Sequence, residues 1–513
     1  MKVVFSALHF VFLRNFEPVL SALASRGHRV HLAADRRDKL GGETLIEVLT
    51  LDYPGLFTSE LASAEKDRLW FRHAQAVRGS LDYLWYLDPR YHNALKLRDR
   101  AAEYAIGPAR LLGRLPAAAG HPAARGAAAL LRTLERAIPP RQCVEDLLDR
   151  ERPDILLLTP LLYFSCQQVD FVRAARARGI PCMLGVGSWD HLTTKGGIHE
   201  IPDAIVVWNH AQEREAIELH NVPPGRIVVT GAQAYDHWFT RRPTLSREEF
   251  FGRLGLDPAR PMLLYLCSSP FIAPQEVGFV RRWLETLRRS ESDVVRHVNV
   301  LVRPHPQNAE QWADVRFEDV PGVAIWPRGG ANPIVEDARA DYFHSMFYSA
   351  AVIGVNTSAQ IESAILGRPV LTVLAPEFAL TQEGTLHFQH LNEGLLQVGD
   401  TLETHVEQVA RILEQPGAGA DRSAAFVQAF VRPRGRDVVA TDVFIEAIER
   451  LAGQPRAASR LPATRRLVRA ASVPVAALSW LADPRRRKAR AADRRREAEK
   501  AARPAAAAKK SAK

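Results

Sequence analysis

Short runs of consecutive apolar residues alternate with stretches of helical periodicity over most of the chain. The run VVFSAL (3–8) is followed by a loop, HFVFLRN, by the amphipathic segment FEPVLSALASRG, which closes at Gly27, and by a second run, HRVHLAA. Apolar runs of this length, joined by single helices, predict parallel strands connected by right-handed crossovers. The alternation resumes with PDILLLTP (153–160) and continues through IPCMLGVG, AIVVWN and RIVVTGA. A second set begins at PMLLYLCSS (261–269), runs through VNVLVRPHP and VAIWP, and reaches AVIGVNTSAQIESAILGRPVLTV, where the strand pattern ends at residue 373. Residues 55–150 differ. They are rich in Ala, Arg and Leu at helical spacing, with few strand signals, and predict a helical insertion.

This pattern predicts two α/β domains facing each other across a cleft: residues 1–232 with the insertion at 55–150, then 233–451 with DVFIEAIERL (442–451) as a closing helix. Open α/β sheets bind ligands at the carboxyl ends of their strands. The length of 513 residues fits two domains better than one core. Four scattered cysteines give neither a disulfide framework nor a zinc spacing, and predict a reducing, cytoplasmic setting. No window supplies the ~18 apolar residues that a membrane span needs, and the first residues show no signal-peptide pattern.

The formal charge of +10 is unevenly placed. Residues 452–513 carry 18 Lys and Arg against 4 Asp and Glu, which leaves residues 1–451 at −4. A mildly acidic body argues against specific nucleic-acid binding, which needs a basic face on the folded part. The tail divides into an amphipathic stretch, RRLVRAASVPVAALSWLA (465–482), suited to a membrane interface, and a low-complexity basic segment expected to be disordered. An anionic membrane surface, at the inner face of the cell membrane, is one expected partner of this tail; a solubilising tail, or one that contacts RNA non-specifically, is the alternative.

Two segments carry the strongest chemistry. In AVIGVNTSAQIES a buried strand delivers Asn356, Thr357 and Ser358 to the start of a helix, with Glu362 one turn in. Such a turn either caps the helix or offers donors to a phosphate. In LVRPHP a strand ends in Arg303 and His305, each before a proline that keeps the backbone extended. A guanidinium and an imidazole there suit a diphosphate and its leaving oxygen. Ser268 and Ser269, at the end of another strand, approach the same edge.

These segments, in this order, resemble the GT-B superfamily, in the branch that holds CDP-glycerol glycerophosphotransferases, capsule glycosyltransferases and UDP-N-acetylglucosamine 2-epimerases. The resemblance covers roughly residues 1–50 and 150–450. It implies two Rossmann-like domains and a nucleotide-sugar co-substrate, with no further cofactor. It also implies that His305 matches the His-Pro histidine, that Thr357 and Ser358 match the phosphate turn, and that Glu362 matches the acid at the ribose. VVTGAQAYD (228–236) resembles the interdomain turn. The epimerases carry a glycine pair and adjacent glutamates where this chain has Asn-Thr-Ser and a single acid, which weakens that reading.

The N-terminal half is expected to hold a glycan or lipid-linked acceptor. His9, after the first strand, is one candidate base. The loop SWDHLTTKG (188–196) is another, with Asp190 or His191 as base and Thr194 and Lys195 placed for phosphate. Glu383, Thr385 and His387, in the loop after residue 373, are candidates to reach the sugar or to form a lid. No Asp-x-Asp pair accompanies these motifs, so the expected chemistry is metal-independent. The expected function is sugar transfer from a nucleotide-diphosphate donor to a cell-envelope or capsule polysaccharide. An alditol-phosphate transferase, a UDP-sugar 2-epimerase and a non-catalytic scaffold of the same fold are the alternatives.

Overall fold

The computed structural model describes residues 1–37, 41–62, 68–115, 121–318, 320–415, 417–454, 456–459 and 462–481. Thirteen strands form two sheets. The first contains β1 (Lys2–Ala7), β2 (Arg29–Ala34), β3 (Phe57–Leu61), β4 (Ile155–Thr159), β5 (Cys182–Gly185), β6 (Ala204–Val207) and β7 (Ile227–Val229), in the order β3-β2-β1-β4-β5-β6-β7. The second contains β8 (Met262–Leu266), β9 (Asn299–Arg303), β10 (Val323–Ile325), β11 (Ala351–Gly354), β12 (Val370–Val373) and β13 (Gln397–Gly399), in the order β10-β9-β8-β11-β12-β13. Every pairing is parallel. The central strands are buried along their whole length, as parallel strands covered on both faces must be.

Two strands depart from the sequence reading. Phe57–Leu61, inside the expected helical insertion, is the edge strand of the first sheet, and Gln397–Gly399 extends the second sheet beyond residue 373. Thr58 and Ser59 are exposed and only Phe57 of β3 is buried, so this edge strand lacks the apolar run of a covered one. β13 is only three residues long.

The closing helix, Ala440–Ala452, was expected within the second domain. It instead crosses back and buries Phe444, Ile445, Ile448 and Leu451 in the core of the first sheet. Its amphipathic pattern guaranteed a buried face but not the sheet that covers it. Asp236 fixes the crossing. Its carboxylate accepts the Thr441 amide and hydroxyl, both at 2.7 Å, and pairs with Arg432 at 2.8 Å. Gly231 (φ +98°) passes so close to Ala440 that a Cβ there would lie 2.9 Å from the alanine methyl.

The insertion comprises the helices Arg68–Trp85, Leu95–Ala102, Gly107–Leu112, Pro122–Ala137 and Gln142–Glu151. A buried ion network joins it to the first domain. Arg78, fully buried, binds Glu135 at 3.1 Å and Asp170 at 2.8 Å, and Arg141 links Asp170 to Asp35 at 2.8 and 2.9 Å.

The amphipathic half of the tail is not a free arm. Residues Ala463–Leu481 form a helix that packs through Ser472 and Ala476 against the insertion helices Arg68–Trp85 and Pro122–Ala137. Arg469 donates to the Ala137 carbonyl at 2.9 Å. Residues 482–513, to which the expectation of disorder applies, lie outside the described residues. No helix among the described residues is long and apolar enough to cross a membrane.

Candidate functional site

The carboxyl ends of both sheets face one interdomain cavity of about 510 Å³. Its floor belongs to the second domain. β9 ends in Arg303, which is 4% exposed and donates to the Ser345 hydroxyl at 3.1 Å. Its second terminal nitrogen, Nη2, has no hydrogen-bond partner. An unsatisfied buried guanidinium N–H is costly unless a ligand completes it. Burial lowers the pKa of Arg303 to about 10, which still leaves it charged near neutrality.

His305 lines the same cavity. Burial, reinforced by the charge of Arg14, pulls its pKa down to about 4, so its ring is neutral. The Gln307 amide donates to Nδ1 at 3.1 Å, which leaves Nε2 to carry the proton. His305 is therefore a neutral hydrogen-bond donor, not the cation that its motif first brings to mind.

Glu362 is raised to about 7 by burial and accepts the hydroxyl of Tyr342. Thr357 and Ser358 also border the cavity. Ser358 makes no capping hydrogen bond, so its exposed hydroxyl remains available, while Thr357 Oγ1 lies 3.4 Å from the Ala359 amide. The helix they open, Ala359–Ile365, has only seven residues. The hydroxyls matter more here than a helix dipole.

Other sequence candidates stand elsewhere. Asn356 does not border the cavity. It is buried and donates to the Thr381 carbonyl at 2.6 Å, which ties down the following loop. Ser268 is likewise buried behind the cavity wall, and its amide donates to Glu276 at 2.8 Å. Ser269 begins a turn, where its carbonyl accepts the Ile272 amide. Glu383 is exposed and Thr385 is buried, its hydroxyl on the Gln382 carbonyl.

On the first-domain side, Asp190 is held by Ser188 Oγ at 2.5 Å, Thr194 Oγ1 at 2.9 Å and Lys195 at 3.5 Å. Burial pushes its carboxyl up, but Lys195, His191 and His387 and the Ser188 hydroxyl outweigh it and hold the group well below the usual carboxylate range. Thr194 and Lys195 thus serve this carboxylate. His191 is buried and lowered to about 4. His9 follows β1 with its ring 4.5 Å from Phe12. His387 reaches across the cleft, its ring 4.6 Å from that of Trp189.

The structure adds residues that the sequence did not single out. Arg14, in the 3-10 helix Phe10–Phe16 after β1, lies in the cavity close enough to lower the pKa values of both His305 and Glu362. Tyr342 lies between Glu362 and Arg303, with the Arg303 guanidinium 5.0 Å from its ring centre. Glu17 and Arg339 pair across the cleft at 2.7 Å. Arg14 carried one usable signal, its position just beyond a strand's carboxyl end.

Comparison with solved structures supports this architecture. A UDP-GlcNAc 2-epimerase from Methanocaldococcus jannaschii superposes with a TM-score of 0.50 at 10% identity, over 88% of this chain and 100% of the other. The chain has a GT-B-like fold. At that identity the likeness concerns the fold alone. Other matches include the UDP-GlcNAc 2-epimerase of Neisseria meningitidis bound to UDP-GlcNAc (TM-score 0.48, 11% identity, 88% and 100% coverage). The lipopolysaccharide glycosyltransferase WaaG also matches (TM-score 0.43, 14% identity, 88% and 100% coverage). No protein-family model and no curated protein matches the sequence. Among the described residues, no group of three or more His, Cys, Asp or Glu is placed to hold a metal ion.

Proposed function

We propose that this GT-B-like chain is a glycosyltransferase that moves a sugar from a nucleotide-diphosphate donor to a cell-envelope or capsule polysaccharide acceptor. The observation that carries the reading is the unpartnered Nη2 of Arg303 in a cavity that also holds Arg14 and His305. A donor diphosphate would complete Arg303, meet Arg14 from the opposite wall and accept from the Thr357 and Ser358 hydroxyls. Glu362, oriented by Tyr342, would face the ribose. The nucleotide-sugar enzyme from M. jannaschii with the same fold supports this class of ligand.

In the transfer, the bond between the anomeric carbon and the diphosphate oxygen breaks, and the diphosphate leaves with the electron pair. Arg303, Arg14 and the Nε2–H of His305 stabilise that charge, and preorganised donors of this kind supply much of a barrier's reduction without a metal. The acceptor hydroxyl forms the new bond and gives its proton to a base on the first-domain side, for which Asp190, His191 and His9 are the candidates. We further propose that the chain works at an anionic membrane face, a reading that the exposed apolar side chains of its tail support. Leu467, Val473, Val475 and Leu478 are exposed along the Ala463–Leu481 helix, ahead of the basic tail.

Thermal shift against UDP-, CDP-, GDP- and dTDP-linked sugars tests the donor site, because a ligand that binds the native state raises its stability. One donor should stabilise the wild type and lose about ten- to a hundred-fold in affinity in His305→Ala and Glu362→Ala, the cost of a charge-assisted hydrogen bond. Wild-type affinity in both folded variants refutes the site. Product mass then separates sugar transfer from alditol-phosphate transfer, and turnover of UDP-GlcNAc without an acceptor would select the epimerase reading.

A further inference from the structure

The helical insertion does more than brace the first domain. Its helix Leu95–Ala102 carries Lys96 and Arg100 to a junction of the two domains, where they meet the loops that leave β4 and β8. Arg100 donates to the Tyr163 hydroxyl at 3.3 Å, and its guanidinium carbon lies 5.6 Å from the Phe164 ring centre and 5.2 Å from that of Phe271. Lys96 lies 4.6 Å from the Phe271 ring centre and donates to the Phe271 carbonyl. Arg36, exposed at the end of β2, lies 5.5 Å from the Tyr163 ring centre.

Charge makes this cluster unusual. Arg78, Arg141, Arg339 and Arg432 each meet a carboxylate, whereas Arg303, in the donor cavity, meets none among the described residues. Among the described residues, none of Arg36, Lys96 and Arg100 has an ion-pair partner. Asp99 and Glu103 lie on or beside the same helix, but both point to solvent as exposed residues. Three cations are held at one sheet edge by aromatic faces, an arrangement that keeps their charge while fixing their position. The segment after β1 supplies Arg14 to the cavity, while the loops after β2 and β4, the strands on either side of β1, supply Arg36 and Tyr163, which do not line it. A group bound there would therefore lie at the same sheet edge as the donor cavity, on the first-domain side.

We propose that Arg36, Lys96 and Arg100, set against Tyr163, Phe164 and Phe271, form a subsite for an acceptor that bears an anionic group. Guanidinium and ammonium groups recognise its phosphate or carboxylate, and the aromatic edges cover the apolar face beside it. This deepens the transferase reading and rests on it. The same chemistry could come from an acidic glycan or from a lipid phosphate. The body is net acidic, so general attraction does not account for a preference for anions at this cluster.

The test measures binding of two matched probe pairs to the full chain by calorimetry: trigalacturonate against its methyl ester, and geranyl phosphate against geraniol. At least one anionic probe should bind ten-fold or more tightly than its neutral partner. The pair that shows the preference names the source. Arg36→Gln, an exposed change that leaves the packing intact, should cut that preference at least five-fold, and Arg36→Lys should restore part of it. An equal response to charged and neutral probes overturns the proposal, absence of binding included, as does an unchanged preference in Arg36→Gln. Binding of the nucleotide sugars is measured on the same protein. Its loss with the anion preference retained would refute the transferase reading and leave the subsite standing.

Discussion

The guanidinium of Arg303 lies 5.0 Å from the ring centre of Tyr342. The phenol of that ring donates to Glu362, so one aromatic side chain joins the residue proposed for the phosphate to the residue proposed for the ribose. The two ends of a nucleotide would thus be read by groups that hold each other in position.

That coupling predicts a pH effect. Burial raises Glu362 to about 7, and the Tyr342 hydroxyl opposes the rise by favouring the carboxylate. In Tyr342→Phe this opposition is gone, so Glu362 should ionise at higher pH. Donor affinity at pH 7 should fall by about ten-fold, the low end of a hydrogen bond to a charged group, and should recover partly toward pH 8.5. Calorimetric titration of the stabilising donor at pH 6, 7 and 8.5 decides it. A loss of equal size at all three would mean that Tyr342 acts by packing alone.

A second buried acid bears on stability. Glu276 is fully buried, accepts from the Ser268 amide at 2.8 Å and the Tyr265 hydroxyl at 3.0 Å, and is raised to about 7 because burial outweighs these donors. Between its ordinary value of 4.5 and about 7, the folded protein holds a proton that the unfolded chain has lost. Its contribution is therefore full below pH 4.5 and is lost as pH rises through 7, up to about 3 kcal/mol in all. Glu276→Gln should flatten the decline in melting temperature between pH 5 and pH 8. A constant offset from wild type across that range would show that Glu276 does not titrate there.

Much of this architecture was legible because the covered strands are apolar on both faces. ILLLT, MLLYL and NVLVR stand out from any helical periodicity. The motifs at their ends followed, and Arg303, His305, Thr357, Ser358 and Glu362 do meet in one cavity. Three kinds of information were not local. The edge strand FTSEL is half exposed and reads as polar. The Ala440–Ala452 helix shows a buried face without saying which sheet buries it. Arg14 and Tyr342 acquire a role only when two distant helical segments close on one space. Asn356 shows the opposite failure: its neighbours border the cavity, but its own side chain turns inward to Thr381.

Asp190, a candidate base, does not line the cavity and is held as a carboxylate by two hydroxyls and Lys195. A group this acidic takes up a proton weakly, and its best use is to fix charge and geometry beside the acceptor. Asp190→Asn should lower the transfer rate ten-fold or more and leave donor affinity within two-fold of wild type. His9→Ala is the companion variant. Normal transfer in Asp190→Asn together with loss in His9→Ala would assign the base to His9.

The ion network under the insertion gives a stability prediction. Arg78→Met would leave Glu135 and Asp170 buried with a charge removed between them, although Arg173 and Arg141 remain on their far sides. Removing one partner from such a network costs about 3–5 kcal/mol. Chemical denaturation should show a loss of this order, with the insertion releasing first. A change under 1 kcal/mol would mean that the remaining arginines suffice.

The tail should be cut in two places, because the structure separates its halves. The Ala463–Leu481 helix buries Ser472 and Ala476 against the insertion and is tied to Ala137 through Arg469. Ending the chain at Gly453 would expose that face of the insertion and should lower the melting temperature by several degrees. Ending it at Leu481 should not. The basic residues beyond 481 are missing from both proteins, whereas the exposed Leu467, Val473, Val475 and Leu478 remain in the longer one. Full-length protein should sediment with anionic phospholipid vesicles, and less so as salt rises and the Debye length falls to about 8 Å at physiological ionic strength. The 1–481 protein should sediment weakly and without that salt dependence, since only its apolar helix face is left to insert. Equal sedimentation of full-length and 1–481 proteins at low salt would assign membrane attachment to the helix and leave the basic residues as a solvated run.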